Sequence, residues 1–153
     1  MHCVTAMPAD QPKRRPATEP TERDYELLAA FRHELREFLH FSEHAARAAG
    51  IPPQQHQAML VIRGVPGRDY VTIGELALRL KIRPHSAVEL AERMHEGGWV
   101  IKSADARDRR RVLIRLTPQG DQALRALSGA HKAELARVGP ALKEILTHLN
   151  LPS

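Results

Sequence analysis

Apolar residues recur at helical spacing along most of this chain, and alternate with polar ones over only a short stretch near its middle. From Tyr25 the positions Leu28, Phe31, Leu35, Phe38, Ser42, Ala45 and Ala49 fall three and four residues apart. That spacing predicts a long helix with one mostly apolar stripe. Thr21 followed by Asp24 has the form of a capping box, and Gly50 supplies the stop. Pro52-Pro53 opens a second helix to about Gly64, with Ala58, Met59, Ile62 and Val65 facing inward. "GVPGRD" is turn chemistry. Thr72 and Glu75 cap a short third helix, and Arg83-Pro84 opens a fourth that closes at Gly97-Gly98.

In "TIGELALRLKIRPHSAVELAERM" the apolar positions Ile73, Leu76, Ala77, Leu80, Ile82, Ala87, Leu90, Ala91 and Met94 bury together if two short helices cross at a tight turn, a helix-turn-helix. "WVIKS" and "RVLIRL" then alternate with period two and predict a hairpin. A helical region runs from Thr117-Pro118 to about Asn150, with a break expected at Gly139-Pro140. Its apolar face is Leu124, Leu127, Leu135, Val138, Leu142, Ile145, Leu146 and Leu149. The expected fold class is mainly α with a small β-hairpin wing: a winged helix-turn-helix domain over 51–116, flanked by dimerisation helices at 22–50 and 117–150. Residues 1–21 read as a tail without apolar periodicity, whose Lys13-Arg14-Arg15 is a solvated run or a phosphate contact.

Charge gives the pattern a direction. The 153 residues carry a formal net charge of +5, which favours acidic partners such as nucleic acid. The hairpin tip, "DARDRRR", places Arg107, Arg109, Arg110 and Arg111 in five positions, with Asp105 and Asp108 among them. Like charge at that density costs stability in the free protein and drives binding to a polyanion through counterion release. On the fourth helix His85, Val88, Glu89 and Glu92 lie opposite the core face, with Ser86 beside them, so this helix can enter a DNA major groove. Val88 can meet a thymine methyl and Glu89 can accept from cytosine N4, or Glu89 pairs with Arg93 four residues on.

At this point the residues carry a resemblance. "EGGWVIKSADARDRRRVLIRLTPQG", with the helix-turn-helix before it, looks like the multiple antibiotic resistance regulator (MarR) family of winged-helix transcription factors. The specific part is Asp108-x-Arg110 followed by alternating apolars and Leu116-Thr117-x-x-Gly120. The resemblance implies a cytoplasmic homodimer that binds double-stranded DNA at a pseudopalindromic operator, usually as a repressor released by a small molecule. It places recognition helix 84–96 in the major groove and wing 104–111 in the minor groove. Arg110 matches the family's minor-groove arginine and Asp108 the acid that orients it; Asp108 also suits a plain turn residue. Arg107, Arg109 and Arg111 fit phosphate contacts or a role in wing solubility, and Arg83 and Arg93 are further DNA-binding candidates. Family members often carry polar or basic side chains where this chain has Val88 and Glu89, which leaves the operator sequence open.

The effector is less legible. A pocket between the first two helices and the winged domain is family-typical, with Phe41, His56, Met59 and Arg63 as lining residues that equally suit core or surface roles. His40 and His44, with His33 seven residues before His40, can present imidazoles on one helix face, yet histidines on a mixed-charge helix are more often solvated. We therefore expect no metal and no cofactor. The single cysteine, Cys3, excludes an intrachain disulfide and fits a reducing compartment; without a nearby base it is a poor redox sensor. No apolar run reaches the length of a membrane span, and no signal-peptide core is present.

Two rival classes remain. An enzyme would need a phosphate loop, a nucleophile elbow or paired carboxylates, and none is present. A winged-helix module that binds protein or RNA instead of an operator would make the wing arginines dispensable.

Overall fold

The computed structural model describes residues 19–149. In chain order they form α1 (Glu22–Ala48), α2 (Pro53–Arg63), β1 (Tyr70–Thr72), α3 (Ile73–Leu80), α4 (Pro84–Glu96), β2 (Val100–Ala104), β3 (Val112–Leu116) and α5 (Pro118–His148). Cys3 and the Lys13–Arg15 run lie outside the described residues.

Local chemistry sets most of the boundaries. Both capping boxes form: Thr21 with Asp24 at the start of α1, and Thr72 with Glu75 at the start of α3. The Thr72 box is reinforced, because the Glu75 carboxylate accepts from the Thr72 N–H at 2.8 Å and from Arg68 Nη1 at 3.0 Å. These bonds, the Arg68 pair foremost, depress the Glu75 pKa to about 2. The helix-turn-helix corner is tight enough to hold Lys81 at φ 54°, a left-handed conformation that usually goes to glycine. It is held by Ile82 N–H donating to the Ala77 carbonyl at 3.0 Å.

The core lies between α2, α3, α4 and the sheet. Met59, Ile62, Val71, Leu76, Leu90, Met94, Val100 and Ile114 are all at most 1% exposed. At about 1.5–3 kcal/mol for each large apolar side chain buried, this cluster dominates the stability of the winged half. The nine apolar positions expected to close the helix-turn-helix are all buried or packed against this core.

Two expectations need correction. The sheet has three strands in the order β1-β3-β2, all antiparallel. The hairpin was expected, but β1 was not: Tyr70, Val71 and Thr72 pair with Arg115, Ile114 and Leu113. Three residues are too few to show alternation, and their partner is distant in sequence. The expected break at Gly139-Pro140 is also absent, since α5 is continuous with Pro140 inside it. Proline removes one helical hydrogen bond at a cost of about 3 kcal/mol. Burial of Val138 and Ile145 on either side anchors both halves of the helix and offsets that loss.

The Leu116-Thr117-x-x-Gly120 segment has a specific structural task. Thr117 Oγ1 caps α5 by accepting from the Gly120 N–H at 3.0 Å and donates to the Gly98 carbonyl at 2.6 Å. The Thr117 N–H donates to the Trp99 carbonyl at 3.0 Å. A Cβ on Gly120 would collide with that same carbonyl. The motif therefore welds the wing base to α5.

Candidate nucleic-acid interface

The hairpin tip is shaped by its aspartates. Asp105 Oδ1 accepts from the Arg107 N–H at 2.9 Å, and Asp108 Oδ1 from the Arg110 N–H at 3.1 Å. Asp105 N–H donates to the Arg111 carbonyl at 2.9 Å, and Arg111 N–H to the Asp108 carbonyl at 2.9 Å. These are side-chain and backbone turns that fold a short loop without an apolar core. The same Asp108 Oδ1 lies 3.8 Å from Arg110 Nε. Asp105 approaches Arg111 Nη1 at 3.9 Å in a parallel arrangement. The Arg110 side chain is nevertheless 96% exposed and free to be inserted elsewhere.

On α4, Ala87, Leu90, Ala91 and Met94 are buried, which turns His85, Val88, Glu89, Glu92 and Arg93 outward, with Ser86 half-buried and Arg83 exposed before the helix. Glu89 and Arg93 are both exposed on this face and do not form the ion pair that their spacing allows. Glu92 is paired instead with Lys102 of β2, whose ammonium holds the Glu92 carboxyl below its usual range. One turn on, His95 Nδ1 lies 3.1 Å from the Val100 carbonyl. Sequence spacing did not reveal either tie, because both cross from a helix to a strand.

The two outward elements face one space. Val88 of α4, Arg110, Arg111 and Val112 of the wing, and Thr72, Ile73 and Gly74 at the start of α3 line an open groove of about 430 Å³. Apolar methyls, exposed guanidinium groups and a helix N-terminus in one groove suit a duplex, whose base edges and phosphates alternate on that scale.

The four residues considered for an effector pocket are spread over α1, which carries Phe41, and α2, which carries His56, Met59 and Arg63. Met59 is fully buried in the core. Phe41 and His56 meet at His131 of α5, a residue the sequence did not single out. The His131 ring lies edge-on to Phe41 at 5.6 Å and stacks beside His56 at 4.8 Å. Its ring nitrogens lie 2.6 Å from the Leu127 carbonyl and 2.7 Å from Ser42 Oγ. His56 is only 4% exposed, and its pKa is lowered by burial first and by His131 second. Arg63 is at the far end of α2, 3.1 Å from Asp121, which also binds Arg125 at 2.7 Å. Arg125 first and Arg63 second hold the Asp121 carboxyl below its usual range. The Arg63–Asp121 pair separates two open grooves of about 380 and 490 Å³.

His33, His40 and His44 are exposed on α1. Among the described residues no group of three or more His, Cys, Asp or Glu is placed to hold a metal ion, and no helix is long and apolar enough to cross a membrane.

Known proteins agree with this architecture. A model described as the MarR family matches residues 49–111. Transcriptional regulator HosA of Escherichia coli is 32% identical over 98 residues, 61% of this chain and 69% of HosA. A putative transcriptional regulatory protein for the hcr operon of Thauera aromatica is 26% identical over 99 residues, 65% of this chain and 58% of that protein. The transcriptional repressor MdtR of Bacillus subtilis is 24% identical over 88 residues, 58% of this chain and 55% of MdtR. The chain thus spans a little over half the length of these last two relatives. All three are named as regulators of transcription, not as enzymes.

Among solved structures, AbsC, a MarR family transcriptional regulator from Streptomyces coelicolor, superposes with a TM-score of 0.70 at 20% identity, covering 88% of this chain and 91% of AbsC. A MepR mutant from S. aureus bound to an oligodeoxyribonucleotide gives 0.63 at 18% identity, with coverage of 82% and 98%. CouR from Rhodococcus jostii bound to p-coumaroyl-CoA gives 0.65 at 17%, with coverage of 88% and 98%. At these identities the structures speak for the fold alone. Fold, family model and the HosA match converge: the chain belongs to the MarR family of transcriptional regulators.

Proposed function

We propose that two copies of this chain bind a pseudopalindromic operator and repress transcription, and that a small molecule relieves the repression. Recognition helix α4 enters the major groove, with His85, Ser86, Val88 and Glu89 toward base edges. The wing enters the adjacent minor groove through Arg110, aimed by Asp108. Arg83, Arg93, Arg107, Arg109 and Arg111 contact the backbone. The observation that carries the reading is the single groove shared by Val88, Arg110 and Arg111: both readers approach a duplex from one side.

Dimerisation is supported by apolar side chains that the chain alone leaves in water. Tyr25, Leu28, Leu35 and Leu39 of α1 and Leu135 and Leu146 of α5 are all more than a third exposed. A two-fold arrangement closes such faces and supplies two half-sites. The DNA-binding step is supported by MepR, which has the same fold and is bound to an oligodeoxyribonucleotide, and the small-molecule step by CouR, which has the same fold and is bound to p-coumaroyl-CoA.

The test is selection of duplexes from a randomised pool, followed by sedimentation of the complex. The expected result is an inverted repeat with half-sites about one helical turn apart, bound by two chains. A selected pool without two-fold symmetry, or one chain per duplex, contradicts it.

A further inference from the structure

The operator-binding reading gives α4 and the wing separate tasks, and it needs them held at a fixed separation. We infer that Lys102 and Glu92 are positioning residues for DNA recognition: their ion pair joins the recognition helix to the wing stem, and it keeps two charges that would otherwise act on DNA directly out of the readout.

The placement carries this. Glu92 lies on the outward face of α4, one turn beyond Val88 and Glu89. Lys102 is the middle residue of β2, three-quarters buried, and its ammonium is given to the Glu92 carboxylate. His95 Nδ1 to the Val100 carbonyl adds a second tie between the same two elements. Thus the last turns of α4 are fastened to the strand that carries the wing. A reader whose two contact elements are fixed before binding loses less conformational freedom when it binds.

Charge sharpens the idea. Opposite a phosphate backbone an unpaired Glu92 would repel and an unpaired Lys102 would attract every sequence equally. Paired, they do neither, and discrimination is left to His85, Val88, Glu89 and Arg110. The two single substitutions should therefore fail in opposite directions. Glu92→Gln frees a lysine for sequence-independent binding. Lys102→Met leaves a bare carboxylate facing DNA.

Fluorescence anisotropy tests this on a duplex selected by the wild-type protein and on its scrambled counterpart, over a salt series. Glu92→Gln should tighten scrambled-duplex binding by about threefold or more and steepen its salt slope by about one ion, so the operator-to-scrambled ratio falls. Lys102→Met should weaken operator binding roughly tenfold. The double variant should recover part of that loss, because neither charge is then left unpaired. Unchanged helix content and melting behaviour in each variant would show that the effects arise in binding. Strictly additive effects, or a ratio unaltered by Glu92→Gln, would overturn the inference while wild-type preference for the operator left the functional reading standing. Loss of that preference in the wild type would overturn the functional reading, and this inference with it.

Discussion

The winged half of the molecule and its helical arms are built from similar residues but are completed differently. Around α2, α3, α4 and the sheet, every large apolar side chain that the helix-turn-helix pattern points inward finds a partner within the chain, and Leu76, Leu90, Met94 and Ile114 are at most 1% exposed. Where α1 lies along α5, Leu27, Leu127, Val138 and Ile145 are buried, yet Tyr25 and Leu39 remain more than half exposed. The winged half closes its core within the chain, with Leu124 and Leu127 of α5 as part of it, whereas the arms close only half of one. Apolar periodicity therefore announces burial in both regions, but it does not say whether the covering surface belongs to the same chain.

Several substitutions can break or sharpen this contrast. The largest effect is expected in the closed core: Leu90→Ala should lower unfolding stability by about 2–5 kcal/mol in a urea titration, with Leu35→Ala costing far less at equal protein concentration. A similar loss at Leu35 under dilute, monomeric conditions would erase the distinction. The next effect is on assembly. Leu28→Glu with Leu39→Glu should convert a two-chain species to one chain by sedimentation, with the helical circular dichroism retained. Persistence of the larger species would place the dimer contact elsewhere.

The two capping boxes offer a finer comparison. Thr72→Ala should cost about 1 kcal/mol, because its box is half-buried and tied to Arg68. Thr21→Ala, on an exposed arm end, should cost less by the same titration. The smallest effect concerns pH. Burial lowers the folded-state pKa of His56 below 6.5, so the unfolded chain binds more protons as the solution acidifies. Stability from neutral His56 is complete above about pH 6.5 and is lost as pH falls from there toward the lower folded value. His56→Gln should flatten that part of the stability curve. An unchanged slope would remove His56 as its source.

Helices were legible because caps and periodicity are local: Thr21-Asp24, Thr72-Glu75 and Pro84 each start a helix where expected. The wing was legible because four arginines in five positions have few structural uses. What escaped depended on distant partners. Strand β1 exists only because β3 receives it. Continuity of α5 through Pro140 depends on packing that local propensity does not register. His131, the shared partner of Phe41 and His56, and Lys102, the partner of Glu92, look like ordinary surface residues in the sequence. The tip was half visible: Asp108 suited a turn residue, while the Asp105 turn and the distance from Asp108 to Arg110 came only with the fold.

The most direct measurement is the anisotropy of wild-type and Arg110→Ala protein on the selected duplex across a salt series. Tight wild-type binding with a steep salt slope, weakened about tenfold or more and flattened by roughly one ion in the variant, is the expected result. Equal binding by the two proteins would contradict the minor-groove role of the wing, and with it the reading that the shared groove of α4 and Arg110 receives DNA.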